Sequence, residues 1–254
     1  MIDFLARDRP GRSASRHHTK VARAWRRRKF GRRTPYYAAV LFILLLLLVS
    51  GWHLSSRSSL FAGMLLGMLV MAVRMFPEAL MPGHIFNWQL GAWGEQMTAI
   101  ELDKLSRKKW VVRHDVRWLD RSNHDHLVVG PAVFVLNSKN VTDSRVEIEG
   151  QHLRMRRLDD PEMSYLADGW IPGAAKEANS LEKRLKNALG FAVPVYPIVV
   201  IWGDFDLEHH HIGKVFVLNG HIVADWIDKR GPDLVKPERR QAVIDYVRSM
   251  PRAE

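Results

Sequence analysis

The chain has 254 residues, a formal net charge of +11 and no cysteine. The missing cysteines exclude disulfides, thiolate metal sites and cysteine nucleophiles. The charge is concentrated at one end: residues 1–34 hold twelve Lys or Arg against Asp3 and Asp8, and the other 220 residues hold 26 basic and 25 acidic groups. A body this close to neutral does not read as a nucleic-acid coat protein.

Residues 1–34 carry too much charge and too few apolar side chains to bury a core, so a disordered basic tail is expected there. Tyr36 to Trp52 follows, a 17-residue run without charge centred on Leu44 to Leu48. Roughly 17–25 apolar residues cross a bilayer as a helix. A second apolar run starts at Leu60 and reaches Val73, or Leu80 if Arg74 and Glu78 sit at the interface. A transmembrane hairpin is therefore expected within residues 35–80, with spans at about 36–52 and 60–76. Gly63 and Gly67 lie four apart, a spacing that lets helices approach closely, and Tyr36, Tyr37 and Trp52 suit the headgroup region. A cleaved signal peptide fits less well, because the charged lead is long and no small-x-small site follows. One span with an interfacial segment is the other arrangement.

Basic flanks stay in the cytoplasm. A hairpin would thus return residues 81–254 there, giving a multi-pass protein of the cell membrane with both termini cytoplasmic. The implied partners are the lipid bilayer and, for the tail, anionic lipid headgroups. The tail's alternative is sequence-independent contact with nucleic-acid phosphates.

Residues 81–90, opened by Met81-Pro82-Gly83, read as a linker. Trp93, Met97, Ile100 and Leu105 recur at near-helical spacing and predict a helix over 91–108, with Glu95 in its first turn. Trp110 to Val116 reads as a strand and Leu119 to Asn123 as a polar turn. Leu127 to Val129 and Val133 to Leu136 barely alternate, the pattern of short strands buried on both faces. Arg145 to Ile148 and His152 to Met155 read as edge strands. Ala174, Ala178, Leu181, Leu185 and Leu189 form the stripe of a helix over 173–190 that Gly190 can close. Val193 to Trp202 is a further strand. Val215 to Leu218 and His221 to Val223 around Asn219-Gly220 read as a hairpin, and Pro237 to Ser249 as a last helix. The fold class expected is α/β, a mixed sheet flanked by helices, with 203–254 completing the domain.

The chemistry is concentrated in Asn123-His124-Asp125-His126-Leu127-Val128-Val129-Gly130-Pro131 and Phe134-Val135-Leu136-Asn137-Ser138-Lys139-Asn140. Two strands around a tight turn bring Asp125, Asn137 and Lys139 together. Phosphodiester hydrolysis uses a divalent cation to polarise the phosphate and activate water. Magnesium takes carboxylate and water oxygens, and a nearby lysine can stabilise phosphate charge. The plain alternative for Asp125, His126, Lys139 and Asn140 is turn and loop polarity, and for Glu95 a helix-start acid. His126 reads as orienting its neighbours. His209-His210-His211, beside Asp204, Asp206 and Glu208, has the donors of a zinc or nickel site, but adjacent strand residues point to opposite faces, so a polar hairpin loop is expected. Trp93, Trp202 and Trp226 sit among apolar neighbours and read as core.

Together with Gly91-Ala92-Trp93-Gly94-Glu95, these blocks resemble the NERD (nuclease-related) domain of the PD-(D/E)xK nuclease superfamily, over roughly Gly91 to Trp202. The resemblance implies a restriction-endonuclease-like core and Mg2+- or Mn2+-dependent hydrolysis of DNA or RNA. It implies Asp125 as central metal ligand, Lys139 as catalytic lysine that also meets the nucleic acid, Glu95 as helix acid, and His126 beside the nucleic acid. Position 137, where the family has an acid, is Asn137, and His124 stands where an aliphatic residue is usual. An amide oxygen can bind a hard cation but brings no charge. The readings are therefore an impaired or intact nuclease, a silent module that binds nucleic acid or protein at the membrane, and a structural membrane protein whose soluble domain binds neither metal nor nucleic acid.

Overall fold

The computed structural model describes residues 83–119, 122–167, 169–230 and 234–252, and before them 15, 19–24, 63 and 67. The described residues from 89 onward belong to one compact unit. The described residues of a second unit, 19–24, 63, 67 and 83–88, are helical. The tail and both expected membrane spans otherwise lie outside the described residues. No helix among the described residues is long and apolar enough to cross a membrane.

In chain order the elements are α1 (Gly83–Leu102), β1 (Val111–Leu119), β2 (Ser122–Val129), β3 (Val133–Glu149), β4 (His152–Arg157), β5 (Ser164–Leu166), α2 (Trp170–Leu189), β6 (Val195–Asp204), β7 (His209–Ile212), β8 (Val215–Asn219), a 3-10 turn (Gly220–Ile222), α3 (Val223–Arg230) and α4 (Pro237–Ser249). The eight strands form one mixed sheet in the order β1-β2-β3-β6-β8-β7, with β4 on β3 and β5 on β4. β1, β2 and β3 are antiparallel, and β3, β6 and β8 run parallel. The crossover from β3 to β6 carries α2, as parallel strands require.

The central strands are apolar on both faces because helices cover both. Val128, Phe134, Leu136, Ile198, Val200 and Trp202 pack with Leu102 of α1 and Trp226 and Ile227 of α3. Leu127, Val129, Val133 and Val135 pack with Ala178, Leu181 and Leu185 of α2 and Val243 and Val247 of α4. The helix stripe of α2 and its closing glycine are as expected: Gly190 takes φ 76° and its N–H reaches the Lys186 carbonyl. The guanidinium of Arg113 on β1 donates to the Val247 and Met250 carbonyls at the end of α4 (3.0 and 3.1 Å), tying the C-terminal helix to the sheet.

Several elements differ from expectation. β3 runs for 17 residues and absorbs the expected edge strand at 145–148, because β4 pairs antiparallel with its outer half. The hairpin of the C-terminal segment lies one strand earlier. His209–Ile212 pairs with Val215–Asn219 around Gly213 at φ 60°, so the three histidines form an edge strand, not a loop. Asn219 instead opens the 3-10 turn, its side chain accepting the His221 N–H.

Gly203 holds the end of β6 against β3. It has φ 125°, and an added Cβ would lie 1.9 Å from the Val141 carbonyl oxygen. Gly203→Ala is therefore expected to lower stability by about 2–3 kcal/mol, measured as a shift in the denaturant midpoint.

Candidate nuclease-related site

The β2–β3 ladder runs from Val129↔Val133 to His126↔Leu136 and stops. At the next step the strands part, and the Ser138 N–H donates to Asp125 Oδ2 at 2.9 Å. On β1, Asp115 lies opposite the same region, skipped in the pairing between His114↔His126 and Val116↔His124. It has a left-handed φ of 51°, which Asp tolerates better than most residues. Asn123 donates to Asp115 Oδ1 at 2.6 Å.

β3 then alternates between two helices. Ser138 faces α1: its hydroxyl is 2.8 Å from that of Thr98, which accepts from Trp202 Nε1 at 2.8 Å and donates to the Gly94 carbonyl at 2.9 Å. The absence of a side chain at Gly94 lets α1 approach Asn140, where a Cβ would come within 3.1 Å of Asn140 Cβ. Asn137 and Lys139 face α2. Asn137 Nδ2 donates to Glu177 Oε1 at 3.0 Å, and the Lys139 ammonium lies 5.9 Å from the centre of the Trp170 ring, within cation–π range. Glu177 Oε2 meets Nδ1 of the fully buried His124 at 3.2 Å.

Asp125, Asn137 and Lys139 thus come together, as the sequence led us to expect. Glu95 is buried on α1, across the sheet from Glu177. His126 is fully buried, with Nδ1 2.7 Å from Nδ1 of His114 and Nε2 without a hydrogen-bond partner. It has no exposed atom with which to make the nucleic-acid contact expected of it. Burial first, and then His114, hold its pKa well below the ordinary imidazole value, so it packs as a neutral ring. Trp202 and Trp226 are core residues, but Trp93 is 45 % exposed, because α1 turns that face away from the sheet.

Glu177 is the residue that sequence reasoning missed. It lies within the buried stripe of α2, between Ala174 and Ala178. An acid on a core-facing stripe is rare unless paired, and that was the available signal.

Asp125 is half-buried, and desolvation of its carboxyl raises its pKa from 3.8 to about 7. Lys139 and the Ser138 amide oppose the rise, while Glu177 and Asp115 add to it. Among the described residues no three His, Cys, Asp or Glu side chains form a metal-holding group. The oxygen donors around Asp125 include the carboxylates of Glu177 and Asp115, both of which act on it electrostatically, and the amide oxygen of Asn137, which is buried without a hydrogen-bond partner. Its amide nitrogen is committed to Glu177, so the oxygen points elsewhere. Two carboxylates and an orphaned amide oxygen suit a hard divalent cation with several waters.

A family model described as the nuclease-related domain, NERD, matches residues 90–202, which run from within α1 into β6 and hold Glu95, Asp125, Asn137, Lys139 and Glu177. No curated protein and no solved structure matches the chain. Residues 90–202 of the mixed-sheet unit are thus similar to the nuclease-related domain.

The raised pKa of Asp125 has a defined sign. Between about pH 4 and 7 the folded state holds a proton that the unfolded state has lost, so this group's contribution to stability falls as pH rises through that window and levels off above it. Asp125→Asn keeps an acceptor for Ser138 and removes the buried charge. It is expected to stabilise the protein by about 1–3 kcal/mol at pH 8 in metal-free buffer, after allowing for solvent screening. The gain should vanish near pH 4; denaturant midpoints at the two pH values check it.

Proposed function

We propose that this domain hydrolyses phosphodiesters of DNA or RNA with the help of Mg2+ or Mn2+, on a restriction-endonuclease-like core. The observation that carries the reading is the Asp125 carboxylate taking the Ser138 amide where β2 and β3 part, with Asn137 and Lys139 flanking that amide. The domain match over 90–202 supports it.

Asp125 and the Asn137 amide oxygen would hold the cation, which when bound polarises the phosphate and lowers the pKa of an attacking water. The hydrogen bond from Ser138 fixes Asp125 in one orientation. Lys139 supplies a cation beside the reacting phosphate and stabilises charge developing on its oxygens; the Trp170 ring lies within cation–π range of its ammonium. Glu95, buried on α1, would assist from the helix side. Phosphate contact by Lys139 is also the nucleic-acid contact of the site.

Cleavage of plasmid DNA, single-stranded DNA and RNA by the full chain in detergent tests this. Metal-dependent cleavage is expected, abolished by Asp125→Ala and reduced at least about 100-fold by Lys139→Met. Salt-sensitive binding of nucleic acid without cleavage would favour the second reading, a silent binding module. The near-neutral body argues against strong sequence-independent affinity, and so favours the enzyme.

The apolar runs at 36–52 and 60–76 support placing the domain on the cytoplasmic side of the cell membrane, with the basic tail on anionic headgroups. The cysteine-free chain makes this measurable with single cysteines. Ser58→Cys, in the loop between the runs, should react with an impermeant maleimide in intact cells, and Ser164→Cys only after permeabilisation. The reverse pattern for Ser164→Cys would mean a single crossing.

A further inference from the structure

The proposed chemistry asks for a second carboxylate, and position 137 holds an amide. We infer that Glu177 of α2 supplies the second carboxylate of the cation site, so that the acid missing from β3 has been replaced from the helix that faces it. The inference rests on the metal-dependent reading above and extends it to a residue outside the strand motif.

Glu177 Oε1 accepts from Asn137 Nδ2 at 3.0 Å, so the carboxylate occupies the space beside the position where the motif's acid would stand. Glu177 is buried and interacts electrostatically with Asp125, as a partner in one cation site must. It is also held in place: His124, fully buried on β2, meets its other oxygen at 3.2 Å. Burying a carboxylate costs several kcal/mol unless it is paired or binds a metal, and no Lys or Arg is hydrogen-bonded or ion-paired to Glu177 among the described contacts. Its partners are an amide and an imidazole, which together fix the orientation of both carboxylate oxygens.

The same geometry accounts for Asn137. An acid at position 137 would place a second carboxylate about 3 Å from Glu177, and like charges at that distance cannot both ionise without a cation between them. An amide turns the repulsion into a hydrogen bond and leaves its own oxygen, buried and without a partner, as a neutral donor. The site so built holds the charge of Asp125 plus that of Glu177, the charge a two-acid strand motif would carry. His124 is a positioning residue here, since it reaches the site only through Glu177.

The test is Mn2+ binding by the full chain in detergent, read by electron paramagnetic resonance of free Mn2+ and by the Mn2+-dependent shift in melting temperature, with folding of each variant checked in EDTA. The variants are Glu177→Gln, which keeps an acceptor for Asn137, and the double exchange Asn137→Asp with Glu177→Gln, which moves the charge back to the strand. Saturable binding by the native chain, weakened more than about tenfold in Glu177→Gln and recovered in the double exchange, is the expected result. Native-like binding by Glu177→Gln would overturn the role of Glu177 and leave the metal-dependent reading standing. Loss without recovery would make Glu177 a structural residue and overturn the exchange of charge between the two positions. Absence of saturable binding by the native chain would overturn the metal-dependent reading and this inference together.

Discussion

Where β2 and β3 stop pairing, the amide of Ser138 loses its strand partner, and a buried backbone N–H left unpaired is costly. The Asp125 carboxylate takes that place at 2.9 Å. This hydrogen bond fixes an acid in the cleft between two diverging strands, while parallel pairing with β6 holds β3 in the sheet. With Ser138 held in the sheet plane, strand alternation sends Asn137 and Lys139 toward α2 and the Ser138 side chain toward α1. The rest of the site follows from that split.

The two helices do different work on the two faces. On one, Thr98 joins Ser138, Trp202 and the backbone of α1 in a dry network, and the bare Cα of Gly94 permits close approach. That face is close packing around Ser138. On the other, α2 brings Trp170 to Lys139 and Glu177 to Asn137 and His124. This face concentrates charge in a half-buried setting, so Asp125 is driven up to about 7 by desolvation against the pull of Lys139. A carboxyl destabilised in this way is stabilised by positive charge placed near it.

The basic tail and the neutral body fit the same division. Net charge sits at the N-terminus, so the site itself works with local fields: one lysine, two or three carboxyls and oriented amides. The fully buried His126 lies beside this cluster and meets the part-buried His114 of the edge strand β1, and its contribution is to packing and orientation.

The sequence by itself determined the mixed class of the sheet, the buried strands around Gly130-Pro131, the α2 stripe with Gly190 and the C-terminal helix, because each is a local pattern of apolar spacing or a local backbone requirement. It also brought Asp125, Asn137 and Lys139 together, since a tight turn dictates which residues of its two strands are neighbours. Tertiary structure decided what no local pattern contains. The length of β3 depended on β4 pairing with its outer half, and the edge-strand place of His209–Ile212 depended on β8. Glu177, forty residues from Asn137, became its partner only because the β3–α2–β6 crossover lays that helix over the strand. Asn137 looked like a defect in the sequence and became half of a pair in the fold, because the charge that completes it comes from another element.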